Sequence, residues 1–298
     1  MALQSSGAIS LNEIHIEAGG TSGTQAGLND SDIRALIDKA AGTTMSFSEW
    51  YGASANVTVT LSSNATNRDV SSLFGSDFSA NVAKILVINS GVEIGATNTG
   101  NYAIHVPTGM GGTLNIQNAG TISGAGGAGS TSTSSAGGNG QAAININSNG
   151  VTVTNTGTIR GGGGGGGKGS GGGSTGGTYV HGGGVVYCYS GTYGAGGNGG
   201  NGQGYNQSQS NGAGGSLGSG NSANPASAYE FCVSFHTSGT FVGAGYGSSG
   251  GNGGSYGNAG NAGGGSGSQG GSAGKYINLG GGISYSLSNS GTLLGQAP

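Results

Sequence analysis

Charge is scarce in this chain: Asp, Glu, Lys and Arg make up 6% of its 298 residues. Disordered tails are usually charged or proline-rich, and only three prolines are present, so plain disorder is disfavoured. The seven basic residues (Arg34, Lys39, Arg68, Lys84, Arg160, Lys168 and Lys275) are scattered. No basic patch exists to neutralise phosphates, which argues against nucleic acid as a partner. Nine of the ten acidic residues lie at or before Glu93, and Glu230 is the only carboxylate after it. Glycosidic hydrolysis normally needs two carboxylates, and a single acid orients no credible Ser-His-Asp set. The chain therefore reads as a non-enzyme with no catalytic residues. No apolar run approaches the ~20 residues that span a bilayer. The opening Met-Ala-Leu-Gln-Ser-Ser has neither the basic nor the apolar region of a secretory signal, so synthesis in a cytosol is expected. Two cysteines, Cys188 and Cys232, make no disulfide framework; they could pair with each other once outside a reducing compartment.

Metal and nucleotide chemistry are also thin. Cys232 and His236 lie four residues apart in a strand-like stretch, which puts them ~13 Å apart when extended, too far for one ion. His181 and Cys188 lack the tight spacing of a zinc site. Gly162, Gly167 and Lys168 imitate a phosphate-binding loop, but Gly169 stands where Ser or Thr must hold magnesium. No cofactor or metal is expected.

What is abundant is glycine, with 75 residues. Before the glycine blocks begin, residues 1–54 read as a small α+β module. Ile9, Leu11, Ile14 and Ile16 suggest a strand, and Asn29-Asp-Ser-Asp opens a helix carrying Ile33, Leu36 and Ile37, with Gly42 placed to end it. Phe47, Trp50 and Tyr51 form an aromatic cluster, read both as a mini-core and as a docking surface. Residues 55–122 read as β from the alternation in Val57-Thr-Val-Thr-Leu61 and in Ile85-Leu-Val-Ile88.

A repeat underlies the rest. Leu114-x-Ile116-x-Asn118-x-Gly120-Thr121-Ile122-x-Gly124 recurs from Val151 to Gly161, from Val233 to Gly243 and from Tyr285 to Gly295, with a degenerate forerunner at Ile85-x-Val87-x-Asn89-x-Gly91. Apolar residues at i and i+2 face one side of a strand, and Asn-x-Gly then turns the chain. The separations are irregular, so no uniform solenoid is expected. Each copy instead launches a glycine block.

Within the blocks glycine recurs every third residue, as in Gly251, Gly254, Gly257, Gly260 and Gly263. Three residues per turn is polyproline II geometry. Ordering glycine costs roughly 1–2 kcal/mol per residue, more than a net hydrogen bond returns, so apolar β staples are needed. The expected fold is mainly β and irregular: the α+β module, the β region to residue 122, then a glycine-rich polyglycine II helix bundle over 123–298 stapled by short strands. The competing reading is a flexible Gly/Ser linker.

Segments that interrupt the glycine carry tyrosine among Ser, Gly and Asn, the composition of antibody binding loops. The candidate contact residues are Tyr179, His181, Tyr187, Tyr189, Tyr193, Tyr205 and Tyr229. The Asn-x-Gly-Thr-Ile-x-Gly-Gly run at 155–162, followed by polyglycine and irregular Tyr-rich loops, resembles the tip adhesins of T-even-type bacteriophage long tail fibres. That resemblance covers residues 113–298. It implies a polyglycine II domain whose loops bind a bacterial outer-membrane protein or surface glycan. Separately, Ile9-Ser-Leu-Asn-Glu-Ile-His, Asn29-Asp-Ser-Asp-Ile-Arg34 and Met45-Ser-Phe-Ser-Glu-Trp-Tyr-Gly52 look like the opening segment of assorted phage virion proteins. This implies docking to other phage tail proteins through Phe47, Trp50 and Tyr51, and a place in the virion tail. The alternatives are a virion decoration protein without a receptor and an ice-binding polyglycine II protein.

Overall fold

The computed structural model describes residues 3–37, 39–53, 55–172, 195–205, 207–216 and 247–298, and the backbone alone of 176–181, 184–189 and 239–242. The stretch expected as a strand near the N-terminus is helix α1 (Leu11–Glu17). The Ser10 hydroxyl accepts from the Glu13 amide, and the Ser10 amide donates to the Glu13 carboxylate at 2.7 Å, closing a capping box. Helix α2 (Ser31–Ala35) starts after Asp30 as expected but stops well short of Gly42. Arg34 turns the chain there: its guanidinium donates to the Thr43 hydroxyl and the Ala40 carbonyl, while its own carbonyl accepts from the Lys39 amide. Ile14, Ile33 and Trp50 form a hydrophobic cluster of their own, and the indole N–H donates to the Ile33 carbonyl at 3.1 Å. No strand precedes Asn56 among the described residues, so the expected α+β character of this stretch is corrected to helix and loop.

From Asn56 the chain winds through three parallel sheets in turn. The first coil is β1 (Asn56–Leu61), β2 (Ala65–Thr66) and β3 (Arg68–Asp69), followed by helix α3 (Val70–Phe74). The second is β4 (Ala83–Ile88), β5 (Glu93–Gly95) and β6 (Ile104–Val106); the third is β7 (Thr113–Asn118), β8 (Thr121–Ser123) and β9 (Ile144–Ile146). The fourth begins with β10 (Val151–Asn155) and β11 (Thr158–Arg160). It then makes a long excursion that includes β12 (Gly176–His181), β13 (Gly184–Tyr189) and β14 (Gly239–Val242), and returns through β15 (Ile277–Leu279). A last partial coil is β16 (Tyr285–Asn289) and β17 (Thr292–Leu294). Like strands stack on like: β1-β4-β7-β10-β16 form one sheet, β2-β5-β8-β11-β17 the second and β3-β6-β9-β15 the third.

The register explains the repeat. Leu86, Ile116, Val153 and Leu287 are paired in one row, and Ile94, Ile122, Ile159 and Leu293 stack in the second sheet. Ile104, Ile144 and Ile277 stack in the third, so all three sheets turn their apolar residues inward to one core. Each buried Val, Leu or Ile contributes roughly 1.5–3 kcal/mol. The Asn of the repeat ends its row: Asn118 Nδ2 donates to Asn155 Oδ1, and Asn155 Nδ2 donates to Asn289 Oδ1, both at 2.7 Å. These side chains also bond the glycine two residues on, which fixes the turn into the second sheet. Lys84 holds the place that Leu114 and Val151 take in later coils. Its ammonium is satisfied by the carbonyls of Ala80, Val82 and Gly111 at 2.9, 3.1 and 2.8 Å. Burial pushes its pKa down, against a weaker pull from Asp77.

Several sequence expectations are corrected here. The coils do form a solenoid, hidden because unequal insertions separate its rungs: Asn118 and Asn155 are 37 residues apart, Asn155 and Asn289 134. The forerunner repeat is also off by one, since Lys84, Leu86 and Ile88 face inward rather than Ile85 and Val87. The copy at 233–243 is no rung: of it, Gly239–Val242 belongs to a separate antiparallel sheet, ordered β13-β12-β14, and Val233–Ser238 and Gly243 lie outside the described residues.

A further correction concerns fold class. The protein is a parallel-sheet fold, not a polyglycine II helix bundle stapled by short strands. The strands carry the apolar core, and the glycine segments are excursions from the coils. They leave the second sheet as continuations of its ladder, the Gly124 amide donating to Arg160 and the Gly161 amide to Leu294. Beyond that, extended glycine segments bond one another through backbone groups. Gly163, Gly166 and Gly169 donate to Gln203, Gly200 and Gly197, and Gly164 and Gly167 donate to Asn258 and Asn261. The approach is so close that a Cβ on Gly163 would lie 2.0 Å from the Gly254 oxygen. At the margins side chains stand in for a missing neighbour: Asn201 Oδ1 accepts from Gly129, Asn252 Oδ1 from Gly212 and Asn139 Oδ1 from Ser272.

Candidate functional site

The glycine excursion of the fourth coil carries the tyrosine-rich segments. Strands β12 and β13 pair antiparallel, with Tyr179 opposite Val186, Thr178 opposite Tyr187 and His181 opposite Gly184. Successive strand residues alternate between faces. The register therefore sets Tyr179 and His181 on one face of this small sheet and Tyr187 and Tyr189 on the other. These four candidates are brought together by the sheet but do not share one surface. Tyr193 and Tyr229 lie outside the described residues, as do Glu230, Cys232 and His236.

Tyr205 is in a different environment. It is half-buried, and its ring lies against the backbone of Gly95 so closely that a Cβ there would fall 1.9 Å from Cγ of the ring. Near it lies a polar cluster at the junction of the second sheet and the glycine segments, which sequence reasoning missed. Arg160 Nη2 meets Glu93 Oε1 at 2.9 Å, and the Ser123 hydroxyl donates to the same oxygen at 2.6 Å. Arg160 Nε donates to the Ser123 hydroxyl at 2.8 Å, and the guanidinium lies 3.8 Å from the centroid of the Tyr256 ring. Tyr256 is buried, and that burial pushes its phenol pKa up against the opposing pull of Arg160. Arg160 and Ser123 share a row that Gly95 continues, and Glu93 lies two residues before it in the row of Thr121 and Thr158. Only the rung alignment could have found them. The cluster ties the solenoid to the glycine segment through Tyr256.

At the other end of the chain, Trp50 is fully buried and serves as core, while Phe47 and Tyr51 are exposed at 43% and 37%. Phe47 packs its ring against Trp50 at a centroid distance of 5.8 Å, and the Tyr51 hydroxyl donates to the Gly7 carbonyl at 2.5 Å. Ile16 adds a further exposed apolar side chain.

The phosphate-loop imitation is resolved by its hydrogen bonds. The amides of Gly162 through Gly167 and of Gly169 all donate to backbone carbonyls, and the Lys168 amide donates to the Ser268 hydroxyl. None is turned toward a phosphate. Among the described residues no group of three or more His, Cys, Asp and Glu could hold a metal ion, and no helix is long and apolar enough to cross a membrane.

No curated protein is similar enough to this chain to count as a match. Among solved structures it is similar to the gp37-gp38 adhesin tip complex of the bacteriophage S16 long tail fiber, at 19% identity and a TM-score of 0.49, over 100% of each chain. The family model described as phage tail fibre adhesin Gp38 matches residues 56–298. That span holds all three parallel sheets and every glycine excursion, and on it the protein belongs to the phage tail fibre adhesin Gp38 family.

Proposed function

We propose that this chain is the receptor-binding adhesin of a phage tail, attached to other tail proteins through residues 1–54 and touching the host through residues 123–298. The β region at 55–122 is the base from which the excursion grows. Family membership supports the adhesin role. The observation that carries the receptor assignment is the antiparallel sheet of β12, β13 and β14. Among the described residues it alone of the sheets stands outside the parallel coils, and its strands carry Tyr179, His181, Tyr187 and Tyr189. Tyrosine gives large contact area at small entropy cost, which suits recognition, here with one pair of candidates on each face of the sheet. Tyr193 and Tyr229 are proposed to extend it, and Tyr205, whose ring is packed on Gly95, is proposed as a further contact residue. The partner class is a bacterial outer-membrane protein or a surface glycan. The chain acts by binding and not by catalysis.

Docking to the tail rests on the N-terminal cluster. Trp50 holds it together, and Phe47 and Tyr51 offer exposed aromatic area beside it. The test is exchange of residues 178–193 for a Gly/Ser loop. Adsorption of the phage to its host should be lost while the purified variant keeps the wild-type melting curve. Normal adsorption with the exchanged loop sinks the receptor assignment.

A further inference from the structure

The sequence holds six Asn-Gly pairs, at Asn139, Asn149, Asn198, Asn201, Asn211 and Asn252. In such a pair the glycine amide nitrogen can add to the side-chain carbonyl carbon of the asparagine. The C–NH2 bond breaks, ammonia leaves and a five-membered succinimide remains. Water then opens the ring at either carbonyl, giving aspartate or isoaspartate. No oxidant or reductant is needed, and the step begins with loss of the proton on the glycine nitrogen. A glycine whose N–H is held in a hydrogen bond is a poorer nucleophile, because that bond must break before the nitrogen can turn toward the side chain.

All six asparagines are exposed, so accessibility does not separate them. The glycine amide does. Gly140 donates to the Ser272 carbonyl, Gly199 to Ser130, Gly202 to Gly127 and Gly253 to Ser210, at 2.9, 2.9, 2.9 and 3.0 Å. Gly212 donates to Asn252 Oδ1 at 3.0 Å. Gly150 differs: it lies in the exposed turn between β9 and β10 at a φ of +78°, and among the described residues its N–H has no acceptor. The bonding between glycine segments thus protects five pairs and leaves one.

We infer that Asn149 is a site of spontaneous succinimide formation in the folded protein, and that the other five pairs are held intact by the backbone bonds of their glycines. The site matters to the coils around it. Asn149 Oδ1 accepts from the Ser284 amide at 3.0 Å, one residue before β16 begins. Conversion to isoaspartate adds a methylene to the main chain of that turn and puts a negative charge where the last coil is laid down.

The experiment uses the full-length folded protein. It is incubated at mildly alkaline pH, sampled over weeks, and mapped by peptide mass spectrometry with isoaspartyl methyltransferase labelling. A second incubation in denaturant supplies the reference rates. In the folded protein Asn149 should convert about 2- to 12-fold faster than any of the other five, the factor expected when one hydrogen bond must first be broken. In denaturant the six rates should draw together. Folded-state conversion at Asn139, Asn198, Asn201, Asn211 or Asn252 as fast as at Asn149 overturns the inference. So does a lead for Asn149 that persists unchanged in denaturant, because it would then stem from local sequence and not from the fold.

Discussion

Replacing Asn155 with aspartate isolates what the side-chain ladder contributes. Asn155 is fully buried, and its amide is both donor and acceptor. Its Oδ1 accepts from Asn118 at 2.7 Å and its Nδ2 donates to Asn289 Oδ1 at 2.7 Å, with the carbonyls of Gly157 and Thr292 each 3.4 Å from that nitrogen. Asn155→Asp preserves shape and the contact to Asn118. It exchanges the donor for a charged acceptor that faces three oxygens. A buried charge stripped of its partner costs about 3–5 kcal/mol. At about 2–4 °C per kcal/mol, Tm should fall by roughly 6–20 °C at neutral pH. The three oxygens favour the protonated acid, so the folded-state pKa rises above the unfolded value of about 3.9. The folded protein then binds more protons than the unfolded chain between those two values. The deficit is therefore fully present above the raised value and shrinks as pH falls toward about 4. Asn155→Ala loses the same bonds without a charge and should show a smaller deficit with no such pH dependence. Melting both variants and the wild type at about pH 7 and about pH 4 is the assay. An aspartate variant that melts with the wild type at neutral pH refutes the reasoning, and so does a deficit that is the same at both pH values.

Glycine substitutions should divide sharply by place. Gly163→Ala puts a Cβ 2.0 Å from the Gly254 oxygen, with backbone that cannot move aside, whereas Gly214→Ala meets nothing within 4 Å. The first should melt well below the wild type or fail to accumulate as folded protein; the second should stay within about 0.5–1 kcal/mol of it by denaturant melting. Equal stability of the two would show that the close approach is not required. At alkaline pH, burial and the neighbouring Tyr276 push the Tyr285 phenol up to about 12. A raised pKa stabilises the fold below the unfolded value of about 10, and that stability is lost as pH rises through the folded value. Tyr285→Phe removes this titration, so the alkaline unfolding midpoint followed by circular dichroism should move upward. An unmoved midpoint would mean that another group drives alkaline unfolding.

The sequence made individual strands visible but not their neighbours. Val57-Thr-Val-Thr-Leu61 alternates and is β1, and the repeats at 114, 151 and 285 each became a strand, an Asn-x-Gly turn and a second strand. Their stacking was obscured because the spacing between copies is set by the excursions and not by the rung. The glycine triplets drew attention to glycine as the fold, although the side chains that hold the core are Leu86, Ile116, Val153 and their paired residues. Helix α1 was misread because Ile9, Leu11, Ile14 and Ile16 fit both periods; Ser10-x-x-Glu13 was the signal that decides it. The Glu93, Ser123, Arg160 and Tyr256 cluster joins residues distant in sequence, and single positions carry no sign of it. Tyr205 could be picked out as a tyrosine in a glycine-rich loop, but its packing on Gly95 depends on alignment across coils.

The long excursion between β11 and β15 also sets an order of assembly. As the chain leaves the ribosome, three coils and half of a fourth can form from local contacts. Completion of the coils must then wait until Ile277 and the residues after it have emerged, so that β15 can pair with β9 and β16 with β10. At about 5–20 residues per second, that delay is several seconds to tens of seconds. Throughout it the upper edges of β9, β10 and β11 stand unpaired, and such edges template wrong pairings. The strands of residues 277–294 are thus the ones that close the structure, and deletions within them should harm folding far more than their length suggests.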